Sequence, residues 1–352
     1  MFFTSKKTIG LDLGSSSIKL AEVSVSKGIA TLENFAFVQT PQAGISNGDL
    51  TDTFLIGESV QALHKEQKFS RKNLCIGMWG SSAIVKKITM PKTDPKSLKT
   101  QIKYEAQQYL PFDISQVTLE YHILPFSSSA EQMDILIVAG QNESINKYLE
   151  VAAYSDMRCS IIDVSCLALA NVFEYNYGKL NEPIGIFNFG SNSTQFVVVF
   201  QGEVIFARDI PVGGFHFTNE ISKNMGVTID EAEGLKLAQT SQASQTETPE
   251  NTRTYMNMAL DFVTDEIRSS IDFYAASSSD LHLSKIFYTG GASLTAGLID
   301  HLSEVLKINF EMLNPLYKIK AVNKKFNPHY LEQITPFLAV SIGLALREVG
   351  DS

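Results

Sequence analysis

Residues Leu11–Ile18 read LDLGSSSI, and residues Phe187–Thr194 read FNFGSNST. Each stretch ends an apolar strand on an acid or its amide (Asp12, Asn188), with a glycine two residues on (Gly14, Gly190) and then hydroxyl-bearing residues. The flanks repeat too. TIGLDLG, SIKLAEVSV and GIATLENFAFVQ read as consecutive strands with a tight turn at Lys27-Gly28. IGIFNFG, STQFVVVFQ and EVIFARDIP do the same, with Gln201-Gly202 at the equivalent turn. Short alternating apolar runs are the strand signature, and a glycine-containing pair between two of them marks a hairpin. The chain therefore reads as a distant internal duplication whose halves each open on a three-strand meander.

The bulk numbers agree with two halves. A chain of 352 residues is too long for one ordinary core and suits two lobes. Its hydrophobic fraction of 44% excludes global disorder. A net charge of -9 makes bare phosphate backbones poor partners, so nucleic acid is excluded as the main one. Cys75, Cys159 and Cys166 form no CxxC pair, and the histidines never fall at a metal-ligand spacing. That pattern fits a reducing compartment and argues against a zinc site. No apolar run approaches the roughly 18 residues of a membrane span, and the opening MFFTSKKT is too short for a signal-peptide core. The expectation is a soluble, cytoplasmic protein, with a peripheral membrane role left open.

Between the meanders, ESVQALHKEQ reads as a helix and NLCIGMWG and AIVKKITMP as strands. TDPKSLKTQIKYEAQQYLPF reads as a helix capped by Asp94, with Pro95 in its first position and Pro111 at its end. Two strands, QVTLEYHILP and MDILIVAG, and a helix through ESINKYLEVAAYS follow, giving a compact insertion over about 73–155. CSIIDVSCLALANVFEYNY reads as a strand running into an apolar helix. In the second half, Thr228 and Glu231 make a capping box, QTSQASQTET reads as a mobile polar loop, and a long helix starts near Pro249. KIFYTGGASL reads as strand, glycine turn and helix, and an apolar helix behind Thr335-Pro336 closes the chain.

A strand ending in Asp-x-Gly and turning back exposes N–H groups that, with serine hydroxyls, can cradle phosphate oxygens. The carboxylate of Asp12 can meet a hydrated Mg²⁺, which takes few protein carboxylates. Gly290 and Gly291 open a helix whose free N–H groups can meet a ligand. One such hairpin is equally a plain β-turn, and the glycine turn equally a plain loop. Two hairpins, one per half, facing a shared cleft carry more weight.

Together with IIDVSCLALANVF, FARDIPVGG, DEAEGLK, TGGAS and GLALR, these motifs resemble the actin-like ATPase superfamily. Within it, they resemble the PilM family of type IV pilus assembly proteins over nearly the whole chain. The YLPF helix and the strands after it are the most specific part, since they match that family's extra subdomain. The resemblance implies an α/β, actin-like fold: two lobes, 1–178 and 179–352, each with a duplicated ribonuclease-H-like core, an extra α/β subdomain about 73–155 in the first lobe and a helical subdomain about 218–284 in the second. It implies ATP or ADP with Mg²⁺ as cofactors. The first phosphate loop would be Asp12, Gly14, Ser15, Ser16 and Ser17, with Lys19 beyond it, and Asp12 would hold the metal through water. The second would be Asn188, Gly190, Ser191, Asn192, Ser193 and Thr194. Gly213 and Gly214 would lie against the nucleotide, Glu233 and Lys236 would meet ribose and base, and Gly290, Gly291 and Ala292 would form the adenosine turn. Asp163 matches the position that orients the attacking water in hydrolysing relatives. Glu233 and Lys236 read equally as a solvated helix pair, and Asp163 equally as a helix cap.

Family members usually carry aspartate where this chain has Asn188. An amide neither holds Mg²⁺ by charge nor helps a water attack, though its NH₂ can hydrogen-bond a phosphate. The expectation is nucleotide binding with weak or absent hydrolysis; a neutral substitution, with hydrolysis through Asp12 and Asp163, stays open. The resemblance further implies a scaffold peripheral to the inner membrane that binds the cytoplasmic tail of PilN in a groove walled by Leu110, Pro111 and Phe112. The same three residues read equally as a helix stop. PilO, reached indirectly, and the pilus motor ATPases are further implied partners, membrane contact runs through partners alone, and self-association stays open. The alternatives are an ATP-dependent phosphotransferase and a filament-forming, cell-division-type relative.

Overall fold

The computed structural model describes residues 8–46, 48–127, 129–239, 249–278, 282–322 and 325–348. The polar stretch from Thr240 to Thr248, expected as a loop, lies outside them.

Both meanders form. β1 (Ile9–Leu13), β2 (Ser17–Ser26) and β3 (Ile29–Gln39) pair antiparallel. Their second turn has φ of 51° at Lys27 and 78° at Gly28, the left-handed pair that a two-residue hairpin needs to match strand twist. A two-residue hairpin, β4 (Ile45–Ser46) and β5 (Asp49–Leu50), leads to α1 (Thr53–Glu66), capped by the Asp52 side chain. β6 (Asn73–Met78) then pairs parallel to β1.

The chain next leaves this sheet. β7 (Ala83–Pro91), α2 (Pro95–Gln107), β8 (Val117–Ile123) and β9 (Gln132–Gln141) build a separate antiparallel sheet in the order β7-β9-β8, with its own core of Ile88, Leu98, Ile102, Ile135 and Ile137. Asp94 caps α2 through two backbone N–H groups. α3 (Asn142–Tyr154) and β10 (Arg158–Val164) return, β10 parallel to β6. The insertion is therefore narrower than the 73–155 expected from sequence. β6 is a central strand of the main sheet, and α3 packs with Ile9, Leu11 and Ile56 through Tyr148 and Val151. A parallel strand finds its neighbour through long-range pairing, so its short apolar run gives no local sign of the sheet it joins.

α4 (Ser165–Tyr177) passes to the second lobe. There β11 (Ile184–Phe189), β12 (Thr194–Phe200) and β13 (Glu203–Ile210) repeat the meander, with φ of 53° and 86° at Gln201 and Gly202. Three helices follow: α5 (Gly214–Met225), α6 (Ile229–Ala238), which carries the Thr228–Glu231 capping box, and α7 (Glu250–Ser277). β14 (Lys285–Thr289), α8 (Leu298–Leu306) and β15 (Phe310–Met312) complete the second sheet, ordered β13-β12-β11-β14-β15. β16 (Lys320–Ala321) crosses back to pair with β3 of the first lobe, and α9 (Pro328–Ala345) ends the fold.

α9 begins a full two turns before the expected Thr335-Pro336. Asn327 caps it and Pro328 takes the first-turn position, while Pro336 sits inside the helix. Its inner face uses small residues where it crosses β1 and α4. A Cβ on Gly10 of β1 would overlap Ser341 O, and one on Gly343 would overlap Ala168 O of α4. Because side chains alternate across a strand, Asp12 projects on the same face as Gly10, so the helix contact ends where the cleft begins. Gly343→Ala is expected to destabilise the protein by about 1–3 kcal/mol through overpacking, read as a lower urea midpoint.

Candidate functional site

A cavity of about 780 Å³ lies between the lobes, within the size range of small-molecule pockets. Both hairpins line it: Asp12, Gly14, Ser15, Ser16, Ser17 and Lys19 from the first, Asn188, Gly190, Ser191 and Ser193 from the second. Gly214, Glu233, Lys236, Gly290, Gly291 and Ala292 line it as well.

The two turns share one geometry. Gly14 N–H donates to Ser17 O at 3.1 Å and Gly190 N–H to Ser193 O at 3.0 Å. A Cβ at either glycine would approach that same carbonyl, to 2.9 Å at Gly14 and 2.7 Å at Gly190. Their carbonyls are bonded away from the cleft. In the first turn, Thr40 donates its hydroxyl to Gly14 O at 2.6 Å and its N–H to Ser16 O at 3.0 Å. In the second, the start of α5 does this work: Gly214 N–H meets Gly190 O at 3.0 Å and Phe215 N–H meets Ser191 O at 2.8 Å. With those carbonyls engaged inside the protein, the serines of each turn that line the cavity, Ser15, Ser16 and Ser17 in one and Ser191 and Ser193 in the other, bring hydroxyl donors of the kind that suits phosphate oxygens.

The duplication extends to side-chain pairs. Asp12 faces Lys19 across the first hairpin, with Lys19 Nζ 3.0 Å from Asp12 Oδ2. Asn188 faces Gln195 in the equivalent register of the second, with Asn188 Nδ2 donating to Gln195 Oε1 at 3.0 Å. An ion pair in one half answers an amide pair in the other.

Glu233 and Lys236 are more than a solvated helix pair. Lys236 is nearly buried and donates to Gly214 O at 3.2 Å, Thr218 Oγ1 at 3.0 Å and Glu233 Oε2 at 2.7 Å. This network clamps α6 onto α5 at the cavity wall. Gly290, at φ 95°, takes a backbone shape that side chains disfavour. Its N–H donates to Pro336 O at 2.9 Å, and Thr289 donates its hydroxyl to the same carbonyl at 3.2 Å. The glycine turn is thus tied to α9.

Several expected residues lie elsewhere. Thr194 is buried and donates to Val212 O at 2.7 Å. Asn192 and Gly213 do not line the cavity; Asn192 Oδ1 accepts from Ser191, and Gly213 lets α5 close on the second turn, since a Cβ there would overlap Gly190 O and Ser191 O. Asp163 also falls outside the cavity lining. Its Oδ2 lies 3.2 Å from Arg347 Nε, and its Oδ1 accepts from Val164 N–H at 2.7 Å. Burial pushes its carboxyl up, and the Arg347 guanidinium holds it back. Leu110 is buried in the core of the inserted sheet, so of the three expected groove residues only the exposed Pro111 and half-buried Phe112 keep surface.

Sequence reasoning missed a full wall. Trp79, whose indole N–H donates to Leu13 O at 2.7 Å, lines the cavity, as do Ser165, Gln195, Leu237 and, from α9, Gln333 and Phe337. Gln195 alone carried a sequence signal, since it stands seven residues after Asn188, where Lys19 stands after Asp12.

A single carboxylate, Asp12, beside serine hydroxyls suits a Mg²⁺ ion that retains waters and binds phosphate. Among the described residues, no group of three or more His, Cys, Asp or Glu side chains could hold a metal ion. Such an ion would therefore need oxygens from a bound nucleotide. Among the described residues, no helix is long and apolar enough to cross a membrane.

The family model of the type IV pilus assembly protein PilM matches residues 10–349. A solved structure described as a PilM-PilN type IV pilus biogenesis complex superposes with TM-score 0.87 at 24% identity, covering 98% of this chain and 99% of that one. The ethanolamine utilization protein EutJ from Carboxydothermus hydrogenoformans superposes with TM-score 0.58 at 14% identity, covering 96% and 89%. With these likenesses, the two-lobed α/β architecture is an actin-like fold.

Asp163→Ala leaves the Arg347 guanidinium unpaired. Because the Arg347 side chain keeps 26% of its surface in water, the expected loss is about 3 kcal/mol, the lower end for breaking a buried pair. A lowered denaturation midpoint, with nucleotide affinity held within about twofold, checks it.

Proposed function

The chain belongs to the type IV pilus assembly protein PilM family, and from that premise we propose that it is a nucleotide-binding scaffold of the pilus inner-membrane platform. One observation carries the reading: two turns of the same geometry, one from each lobe, line a single cavity with their carbonyls bonded away from it. ATP or ADP is the ligand that fits two phosphate cradles together with the Gly290–Ala292 turn. Mg²⁺, met by Asp12 through water, would offset phosphate charge. Lys19 supplies a second cation at the first turn, only 13% exposed.

Hydrolysis is weak on this reading. Asn188 brings no charge, and its NH₂ is engaged with Gln195. Asp163 does not line the cavity and lies 3.2 Å from Arg347, which supports a reading in which it does not orient a water there. The protein then acts by which lobe closure the nucleotide stabilises, and a partner is affected only to the extent that it distinguishes the closures. The partner is the cytoplasmic tail of PilN, a choice supported by family membership and by the likeness to the PilM-PilN complex. Its groove would lie beside the inserted sheet, with Pro111 and Phe112 at its edge. On this reading the protein is cytoplasmic and peripheral to the inner membrane through its partner, and relays to the motor ATPases.

Calorimetric titration with ATP and Mg²⁺, then with a peptide of the PilN tail, tests the proposal; binding of neither overturns it. Lys19→Met is expected to weaken ATP binding about tenfold or more, the worth of a charged hydrogen bond. Wild-type phosphate release should be slow, and Asn188→Asp should raise it; brisk release by the wild type would refute the weak-hydrolysis reading.

A further inference from the structure

The amide pair of the second hairpin does not end at Gln195. Asn188, Gln195 and Asp209 sit in register across β11, β12 and β13. Asn188 Nδ2 donates to Gln195 Oε1 at 3.0 Å, Gln195 faces Asp209 across the next strand pair, and Gly80 N–H of the first lobe donates to Asp209 Oδ2 at 2.8 Å.

The oxygen and NH₂ of an amide have nearly the same shape, so the direction of such a chain is set by its end group. Asp209 is that group. Burial pushes the Asp209 carboxyl up, and the Gly80 N–H and the Gln195 side chain hold it back; the ionised carboxylate only accepts, and it already accepts from Gly80. Gln195 must therefore turn its NH₂ to Asp209 and its oxygen to Asn188. Asn188 must then turn its NH₂ to Gln195. Its oxygen is left on the other side, where it lies against Gly290, since a Cβ there would come within 2.6 Å of Asn188 Oδ1. Glycine at that cavity-lining position makes the room.

We infer that Gln195 and Asp209 are positioning residues that hold the Asn188 carboxamide with its oxygen, and not its NH₂, available to the cleft. The second hairpin thus keeps the oxygen acceptor of the usual aspartate and loses only its charge. This rests on the nucleotide-binding reading for its consequence. A neutral oxygen accepts from the waters that Mg²⁺ retains and repels an uncovered phosphate oxygen, so the site prefers a Mg²⁺-nucleotide to the bare one. A free-turning amide would swing its NH₂ to the phosphate and show less preference.

Asp209→Asn tests this, because an amide end group can donate as well as accept and releases the direction of the chain. Gln195→Met, which removes the acceptor itself, guards against a folding defect in the first variant. In the ligand-free protein, NMR exchange of the Asn188 side-chain NH₂ protons should quicken by about two- to tenfold in both variants, roughly one hydrogen bond's worth. The ratio of ADP affinity in Mg²⁺ to that in EDTA should fall by a similar factor. Equal exchange rates in all three proteins overturn the positioning role. Altered exchange with an unchanged Mg²⁺ ratio overturns the ligand preference. A wild type that binds no ADP in either buffer overturns the functional reading instead, because exchange reads the chain without ligand.

Discussion

Four carbonyl oxygens, those of Gly14, Ser16, Gly190 and Ser191, are hydrogen-bonded away from the cleft. A phosphate repels an acceptor as strongly as it welcomes a donor, so a tight turn becomes a cradle only once its acceptors are engaged elsewhere. The halves reach this by different means. Thr40, one residue beyond β3, does it alone in the first lobe, whereas the N-terminal turn of α5 does it in the second. The second solution needs Gly213, where a side chain would collide with the turn it serves. It also couples the second cradle to α5, and through the Lys236 network to α6. A shift of α6 is thereby felt at the Gly190 turn.

The same duplication explains why so much of the site was legible. A hairpin is local: its glycine, its hydroxyls and its two strands lie within residues 9–26 in one half and 184–200 in the other, so each half carries an independent copy. The turns, the Gly290–Ala292 corner and the caps at Asp94 and Thr228 could be read from adjacent residues alone. What could not be read was long-range. The wall from α9 reaches the cavity because Gly10 and Gly343 admit the helix against β1 and α4, and neither glycine carries a local sign of that. Asp163 was read from its place before a helix, but its partner Arg347 lies at the far end of the chain. The expected bounds of the insertion are too wide because β6 pairs with β1 across 65 residues. Thr335-Pro336 imitates a helix start, yet Asn327 and Pro328 hold that role.

The lobes are joined by more than the two helices α4 and α9. Asp209 reaches Gly80, His122 Nε2 lies 3.1 Å from the Glu203 carboxylate, and Phe126 meets Phe200 edge-on at 5.2 Å. These contacts place the inserted sheet and the neck leading to it against β13, at the edge of the second lobe's sheet, and the end of β12. The row of side chains that begins at Asn188 also ends on β13. The Asn188 turn and the inserted sheet are therefore fixed to opposite ends of one short polar row, so a change at one end has a physical route to the other.

The pairing of β16 with β3 bears on how the protein is made. A ribosome delivers the first lobe's strands early, but the strand that borders β3 and the helix that covers Gly10 arrive only with residues 320–345. Domains of most chains fold in the order in which they emerge. Here the lobe that emerges first waits for the last, with a sheet edge open to wrong partners in the meantime. The inserted sheet, whose core is complete by Ala139, is the part able to fold while synthesis continues.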